Sequence, residues 1–165
     1  MKQAKALDRI DLRILQQLQQ DGRISNKDLA EQVNLSASAC HQRTQRLIDG
    51  GWISGFIGRV NVDKLCEPVE CIATITMGSH APDTFRYLEQ CIDQMPEVIE
   101  AYTVSGGCDF IVHFACAQMS RYMALTNSLI RSVPDISTIS THVVLKRSKS
   151  FSGYPLEQLT HPTDY

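Results

Sequence analysis

Ser38, Gln42, Gln45 and Arg46 follow one another at steps of one to four residues, with Ser36 just ahead and His41 and Arg43 beside them. At about 100° per residue, a helix would gather a hydroxyl, two carboxamides and a guanidinium on one side. Amides and guanidiniums are the side chains able to bond base edges in pairs, and serine hydroxyls donate to bases or phosphates. The chemistry open to Ser36, Ser38, His41, Gln42, Arg43, Gln45 and Arg46 is the reading of double-stranded DNA. A bland alternative competes, because every surface helix turns a polar side to water. A second run, Gly106-Gly107-Cys108-Asp109, offers different chemistry. A glycine pair lets backbone N–H groups approach an anion, and a carboxylate can pair with an ammonium group. Its bland alternative is an ordinary hairpin turn.

The elements around the first run favour DNA. Leu7, Ile10, Ile14, Leu15 and Leu18 mark a first helix from about Leu7 or Asp8, closed by Asp21-Gly22 with glycine suited to a left-handed cap. Ser25 or Asn26 caps a second helix with Leu29, Ala30 and Val33 inward. Asn34-Leu35 turns the chain, and Ser36 caps a third helix running to about Asp49, stopped by Gly50-Gly51. Cys40, Thr44, Leu47 and Ile48 form its inner side. Two short helices joined by a tight turn are the pattern of a helix-turn-helix.

Beyond it, Trp52–Val62 reads as a connecting strand. Val69–Met77 alternates like a strand. Pro82–Gln94 is a helix with Phe85, Leu88 and Ile92 inward. Val98–Ser105 and Phe110–Ala115 make a hairpin. Ser120–Arg131 is a helix capped by Ser120, with Met123, Leu129 and Ile130 among its apolar residues, broken by Pro134-Asp135, and Ile136–Lys146 is a last strand. The order βαββαβ defines a ferredoxin-like sandwich. Its sheet keeps one face uncovered, which predicts pairing with a second copy. The expected fold is α+β: a winged-type helix-turn-helix domain at residues 1–53, a linking strand and hinge at 54–66, a ferredoxin-like effector and oligomerisation domain at 67–147, and a tail at 148–165. That tail is expected to pack through Phe151, Tyr154, Leu156 and Leu159 and to end in disorder.

Bulk properties agree. The 165 residues allow one domain or two small ones. The net charge of −2 hides a polarity: residues 1–60 carry nine Lys/Arg against six Asp/Glu (+3), and residues 61–165 carry seven against twelve (−5). A basic head on an acidic body suits a DNA reader, and so modest a head calls for several per assembly. No apolar run reaches membrane-spanning length and the charged start predicts no secretory signal, which points to the cytoplasm. Six cysteines without a CxxC pair read as reduced thiols; Cys66, Cys71 and His80 have poor spacing for zinc, so no metal is expected. No nucleophile elbow, phosphate loop or HExxH is present, so neither an enzyme nor a cofactor is expected.

Leu7-Asp8 with Asp11, Asp21-Gly22-Arg23, Leu29-Ala30, Leu35-Ser36, Cys40, Arg43, Arg46-Leu47 and Gly51 to Ile53 resemble the first half of the Lrp/AsnC (leucine-responsive, feast/famine) bacterial transcription regulators. Pro96-Glu97-Val98, Val104-Ser105-Gly106, Asp109-Phe110 and Pro134 resemble its ligand-sensing half. The resemblance spans about residues 6 to 159. It implies a homodimer joined through the sheets, octamers or other rings of dimers, and a small effector, typically an amino acid, bound between dimers. By position it puts Tyr102, Thr103, Ser105, Gly106, Gly107 and Asp109 beside the effector, with Thr138 and Ser140 added from the last strand. Two departures stand out. The family often has Gly-Asp-x-Asp where this chain has Gly106-Gly107-Cys108-Asp109, and prolines in the helix opening where it has Ser36-Ala37-Ser38-Ala39-Cys40. The first admits a rival reading, a thiol or redox sensor acting through Cys108. An architectural DNA-binding protein without an effector is the other alternative.

Overall fold

The computed structural model describes residues 7–160. The expected disordered end past residue 160 and the first six residues lie outside that range. The described chain forms two compact units: residues 7–59 together with 149–160, and Val60–Ser148.

The first unit holds three helices, α1 (Arg9–Gln20), α2 (Asn26–Gln32) and α3 (Ala37–Asp49), and a short terminal α6 (Leu156–Thr160). Each of the first three starts on a side-chain cap. Asp8 accepts from the backbone N–H groups of Ile10 and Asp11, both at 2.9 Å, and Asp11 returns a bond to Asp8 N, a reciprocal capping box. Ser25 caps α2 and Ser36 caps α3, as expected. Between them Asn34 takes φ 56°, the left-handed residue that sets the turn. Ile14, Leu29, Ala30, Val33, Cys40 and Leu47 close the core, with Leu18, Leu35 and Ile53 packed on it. Ile48, expected inward, is exposed. Gly22 is not left-handed either; Asp21 ends α1 in extended backbone, and the missing side chain of Gly22 makes room for the Phe56 ring 3.1 Å from where a Cβ would lie. The left-handed glycine is Gly51 (φ 73°), which ends α3: Gly51 N bonds Ile48 O and Trp52 N bonds Leu47 O, each at 2.9 Å, a Schellman closure.

The second unit follows the expected order: β1 (Val69–Met77), α4 (Pro82–Asp93), β2 (Val98–Thr103), β3 (Phe110–Cys116), α5 (Met119–Ser132) and β4 (Ile136–Val143). The strands lie β2-β3-β1-β4, and every pair is antiparallel. One sheet face carries Cys71, Ala73, Ile75, Met77, Phe110, Val112 and Phe114 into a core closed by Leu88 and Ile92 of α4 and by Tyr122, Leu125 and Leu129 of α5. Met123 and Ile130 face away from it. Helix α5 begins one residue before Ser120, with Gln118 as its uncapped start; Ser120 Oγ instead donates to the Gln118 side chain. Strand β2 stops at Thr103, where its partner β3 ends at Phe110, and β4 stops at Val143, with one further bond from Val144 N to Glu70 O at 2.9 Å.

The expected strand at Trp52–Val62 does not form. A strand exists only where a neighbour takes its N–H and C=O groups, and no described strand lies beside this segment. Ile53 packs on the head core, while Ile57 and Val60 stand uncovered, Ile57 at 92 %.

Candidate nucleic-acid interface and effector loop

Helix α3 is seated by Cys40 and Leu47, and its opposite side is open: Ser36, Ser38, His41, Gln42, Gln45 and Arg46 are all exposed. Ser36 Oγ is occupied by its capping bond to Ala39 N and lies 3.3 Å from Ser38 Oγ. Gln45 donates to Asp49 one turn on, at 2.7 Å. The side chains of His41 and Gln42 make no hydrogen bond to a described residue.

The two arginines are held differently from the amides. Arg43 Nη1 donates to Asp8 Oδ2 at 2.6 Å and to Asp11 Oδ1 at 2.9 Å, while Arg46 Nη2 donates to Asp11 Oδ2 at 2.6 Å. Asp11 is 1 % exposed, the one buried charge among the described residues. Both its oxygens are satisfied by cations, which is what allows a carboxylate to be buried there. The hydrogen bond from Arg43 holds the Asp8 carboxyl below its ordinary 3.8, and the hydrogen bond to Asp8 in turn raises the arginine above its ordinary value. Arg43 and Arg46 therefore fasten α3 to the start of α1 and keep part of their guanidiniums in solvent. Asp11 was not singled out from the sequence as a functional residue. Its signal was present: three residues after a capping aspartate, it lies on the same side of α1 as Ile14 and Leu18.

The second candidate region is a hairpin loop, residues 104–109, closed by Val104 N to Asp109 O at 2.9 Å. Gly106 has φ 124°, and neither it nor Gly107 has any atom within 4 Å of where a Cβ would stand. The backbone here is open to an approaching molecule. Cys108 is half-buried rather than at the exposed tip. Asp109 is already engaged: Oδ2 accepts from Met77 N at 2.7 Å and Oδ1 lies 3.1 Å from His80 Nε2. It ties the loop to the end of β1. Of the remaining candidates, Tyr102 is exposed on the sheet's outer face, and so are Thr138 and Ser140. Thr103 points to the helix side and donates to Glu89 of α4 at 3.3 Å. β2 and β4 are the two edge strands. At about 4.8 Å per strand, Tyr102 is therefore roughly 14 Å from Thr138 and Ser140, and one chain does not bring them together.

Among the cysteines, burial pushes the thiols of Cys71 and Cys116 up, so both stay protonated at neutral pH. No group of three potential metal ligands comes together among the described residues, and no helix of the described chain is long and apolar enough to cross a membrane.

A three-helix head with an open polar α3 and, in a second unit, a four-stranded sheet with two helices on one face define a helix-turn-helix transcription regulator with a separate sensing unit. The comparisons agree unit by unit. The family model for winged helix-turn-helix DNA-binding matches residues 7–54, and that for the Lrp/AsnC ligand binding domain matches residues 70–154. The leucine-responsive regulatory protein of Haemophilus influenzae is 35% identical over 148 residues, 90% of this chain and 89% of its own. The transcriptional regulatory protein DoeX of Halomonas elongata is 36% identical over 143 residues, 87% of this chain and 90% of its own. An AsnC family transcriptional regulator of Agrobacterium tumefaciens superposes with a TM-score of 0.85 at 26% identity, covering 93% of this chain and 99% of that one. A transcriptional regulator of Neisseria meningitidis, solved as its L-Met complex, has the same TM-score and coverage at 25% identity. This chain belongs to the Lrp/AsnC family of transcription regulators.

Proposed function

We propose that this regulator binds a free amino acid at the 104–109 loop, between dimers paired through their sheets, and that occupancy changes its grip on DNA. The observation that carries the effector site is the loop itself: two adjacent glycines, one at φ 124°, with nothing within 4 Å of either would-be Cβ. The L-Met complex of the Neisseria meningitidis relative supports the ligand class. Because Tyr102 and Thr138 stand on opposite edges, a site using both takes them from different copies, which fits an effector held at a junction between subunits. The outer sheet face supports the pairing: Ile72, Thr74, Thr76, Ile111 and Ala115 alternate with core residues and have no helix over them. Rings of such dimers, octamers among them, multiply the weak positive head into a firm DNA binder. On DNA, Gln42 and Gln45 read base edges, Ser36, Ser38 and His41 lie at the backbone, and Arg43 and Arg46 offer phosphates whatever Asp8 and Asp11 leave free. The work is done in the cytoplasm, where the DNA of its bacterial relatives lies, and it needs neither a cofactor nor catalysis.

A thermal-shift panel of the twenty amino acids tests the effector. We expect one or a few to raise the melting temperature, since a ligand bound only to the native state stabilises it. Gly107→Val, at an open position without a left-handed φ, should fold normally and lose that rise. A panel with no response would overturn the reading. Gln42→Ala should weaken specific binding about tenfold or more in a gel shift, the size of one lost paired base contact; equal retention would remove it from the interface.

A further inference from the structure

We propose that residues 149–160 are a strap that docks on α1 and restrains the DNA-binding unit, with α1 as the lever between strap and reading helix. The chain enters the head unit twice. It crosses between the two units once after Arg59 and again after Ser148, where the segment that follows β4 rejoins α1–α3. The second crossing ends in a fitted contact. Tyr154 N donates to Gln19 Oε1 at 2.7 Å and Gln19 Nε2 donates to Tyr154 O at 3.2 Å, so one side chain satisfies both backbone groups of one residue. Gly153 beside it takes φ 115°, and a Cβ there would lie 3.1 Å from Gln19 Cδ and Oε1. Phe151 and Tyr154 meet edge to face at 5.1 Å, and α6 lies against α1.

The position on α1 gives the contact its consequence. Gln19 is at the C-terminal end of the helix, and Asp8 and Asp11 are at its beginning, holding Arg43 and Arg46 of α3. About 12 Å of rigid helix separates Asp11 from Gln19. A pull on the strap therefore reaches the reading helix through a single element. Docked, as the structure holds it, and released, the strap would supply the two arrangements a coupling device needs. Its contacts are few and partly solvated, so release lies within reach of ordinary binding events at the sheet unit from which it emerges.

The test uses the full chain and two variants, Gln19→Leu, which deletes both polar partners, and Gly153→Val, which denies the left-handed backbone and lies outside every helix. Hydrogen exchange should show the Tyr154 amide of the wild type protected at least tenfold over an unstructured peptide, with that protection lost in both variants. Trp52 is the sole tryptophan and belongs to the head unit, so its fluorescence anisotropy decay reports head motion. The variants should add a fast component to the decay and move the DNA gel-shift midpoint at least threefold, with far-UV circular dichroism unchanged. If Gln19→Leu disturbs the fold of α1, Gly153→Val carries the test. A Tyr154 amide as fast in the wild type as in the variants overturns the proposal. So does lost protection with wild-type anisotropy and DNA midpoint, which would make the strap packing alone. Protection that disappears on dilution would assign the strap to a second copy and overturn the same-chain reading.

Discussion

Asp11 is the residue on which the head's geometry turns. A carboxylate 1 % exposed, held by two guanidiniums and its own capping partner, is stable only while those cations remain. Asp11→Ala leaves Arg46 without its carboxylate and Arg43 with Asp8 alone. Fully buried pairs lose roughly 3–5 kcal/mol when broken. These guanidiniums keep contact with water, so we expect about 2 kcal/mol off the head's stability, read by urea unfolding. The same cluster sets an acid limit. Asp8 has its folded pKa depressed below 3.8 by Arg43, so its contribution is complete above pH 3.8 and is lost as pH falls through the depressed value. Unfolding followed by Trp52 fluorescence should show the head weakening below about pH 4, and Arg43→Met should flatten that dependence. An unchanged acid limb in the variant would refute the assignment.

At the scale of elements, α3 is defined by its two ends. Ser36 starts it and the Gly51 closure stops it, which fixes which turn of the helix faces outward. Gly51 has open space around its would-be Cβ, so Gly51→Ala is a pure test of backbone strain. It should cost about 1 kcal/mol in chemical denaturation, the usual penalty for an alanine forced to positive φ. Gly50 is the contrasting case. A Cβ there would stand 2.9 Å from Arg46 O and 3.0 Å from the Trp52 ring. The 104–109 loop is likewise defined at its base, where Asp109 binds Met77 N and His80. The Asp109 carboxylate is a brace for β1 before it is anything else, so an incoming ammonium group would have to displace His80 from Oδ1.

At the scale of the molecule, the uncovered sheet face and the linker share one property. Ile72 and Ile111 on the face, and Ile57, Val60 and Leu65 along the linker, keep apolar surface that this chain alone does not bury. Ile111 registers opposite Tyr102 on one side and Thr74 on the other, near the middle of the sheet. Ile111→Glu should leave the helix-side core intact and weaken the dimer at least tenfold by sedimentation velocity. Retention of the wild-type assembly would rule out this face as the interface.

Much of the fold is legible in the sequence alone. The stripes Leu29/Ala30/Val33 and Cys40/Leu47, the serine caps and the alternation through Val69–Met77 are local codes, in which a residue's neighbours in sequence settle its conformation. Element order then left few topologies, and the βαββαβ arrangement followed. Where a residue's state depended on a distant partner, local codes failed. Trp52–Val62 had the composition of a strand and no neighbour to pair with. Arg46 had the type and phase of a base reader, and only tertiary packing set Asp11 within 2.6 Å of it. Gly22 looked like a left-handed cap, and the fold used its missing side chain to admit Phe56. The tail reads as a polar end packing through Phe151, Tyr154, Leu156 and Leu159, but Phe151, Tyr154 and Leu159 stay exposed and the fold ties the tail to α1 through Gln19, 135 positions earlier than Tyr154. Sequence alone determined helices α1 to α5, the four strands of the sheet and the outward amides, because propensity and periodicity act over a few residues. Tertiary structure alone decided which charges neutralise one another and which ends of the chain meet, because those energies depend on distances that no sequence interval records.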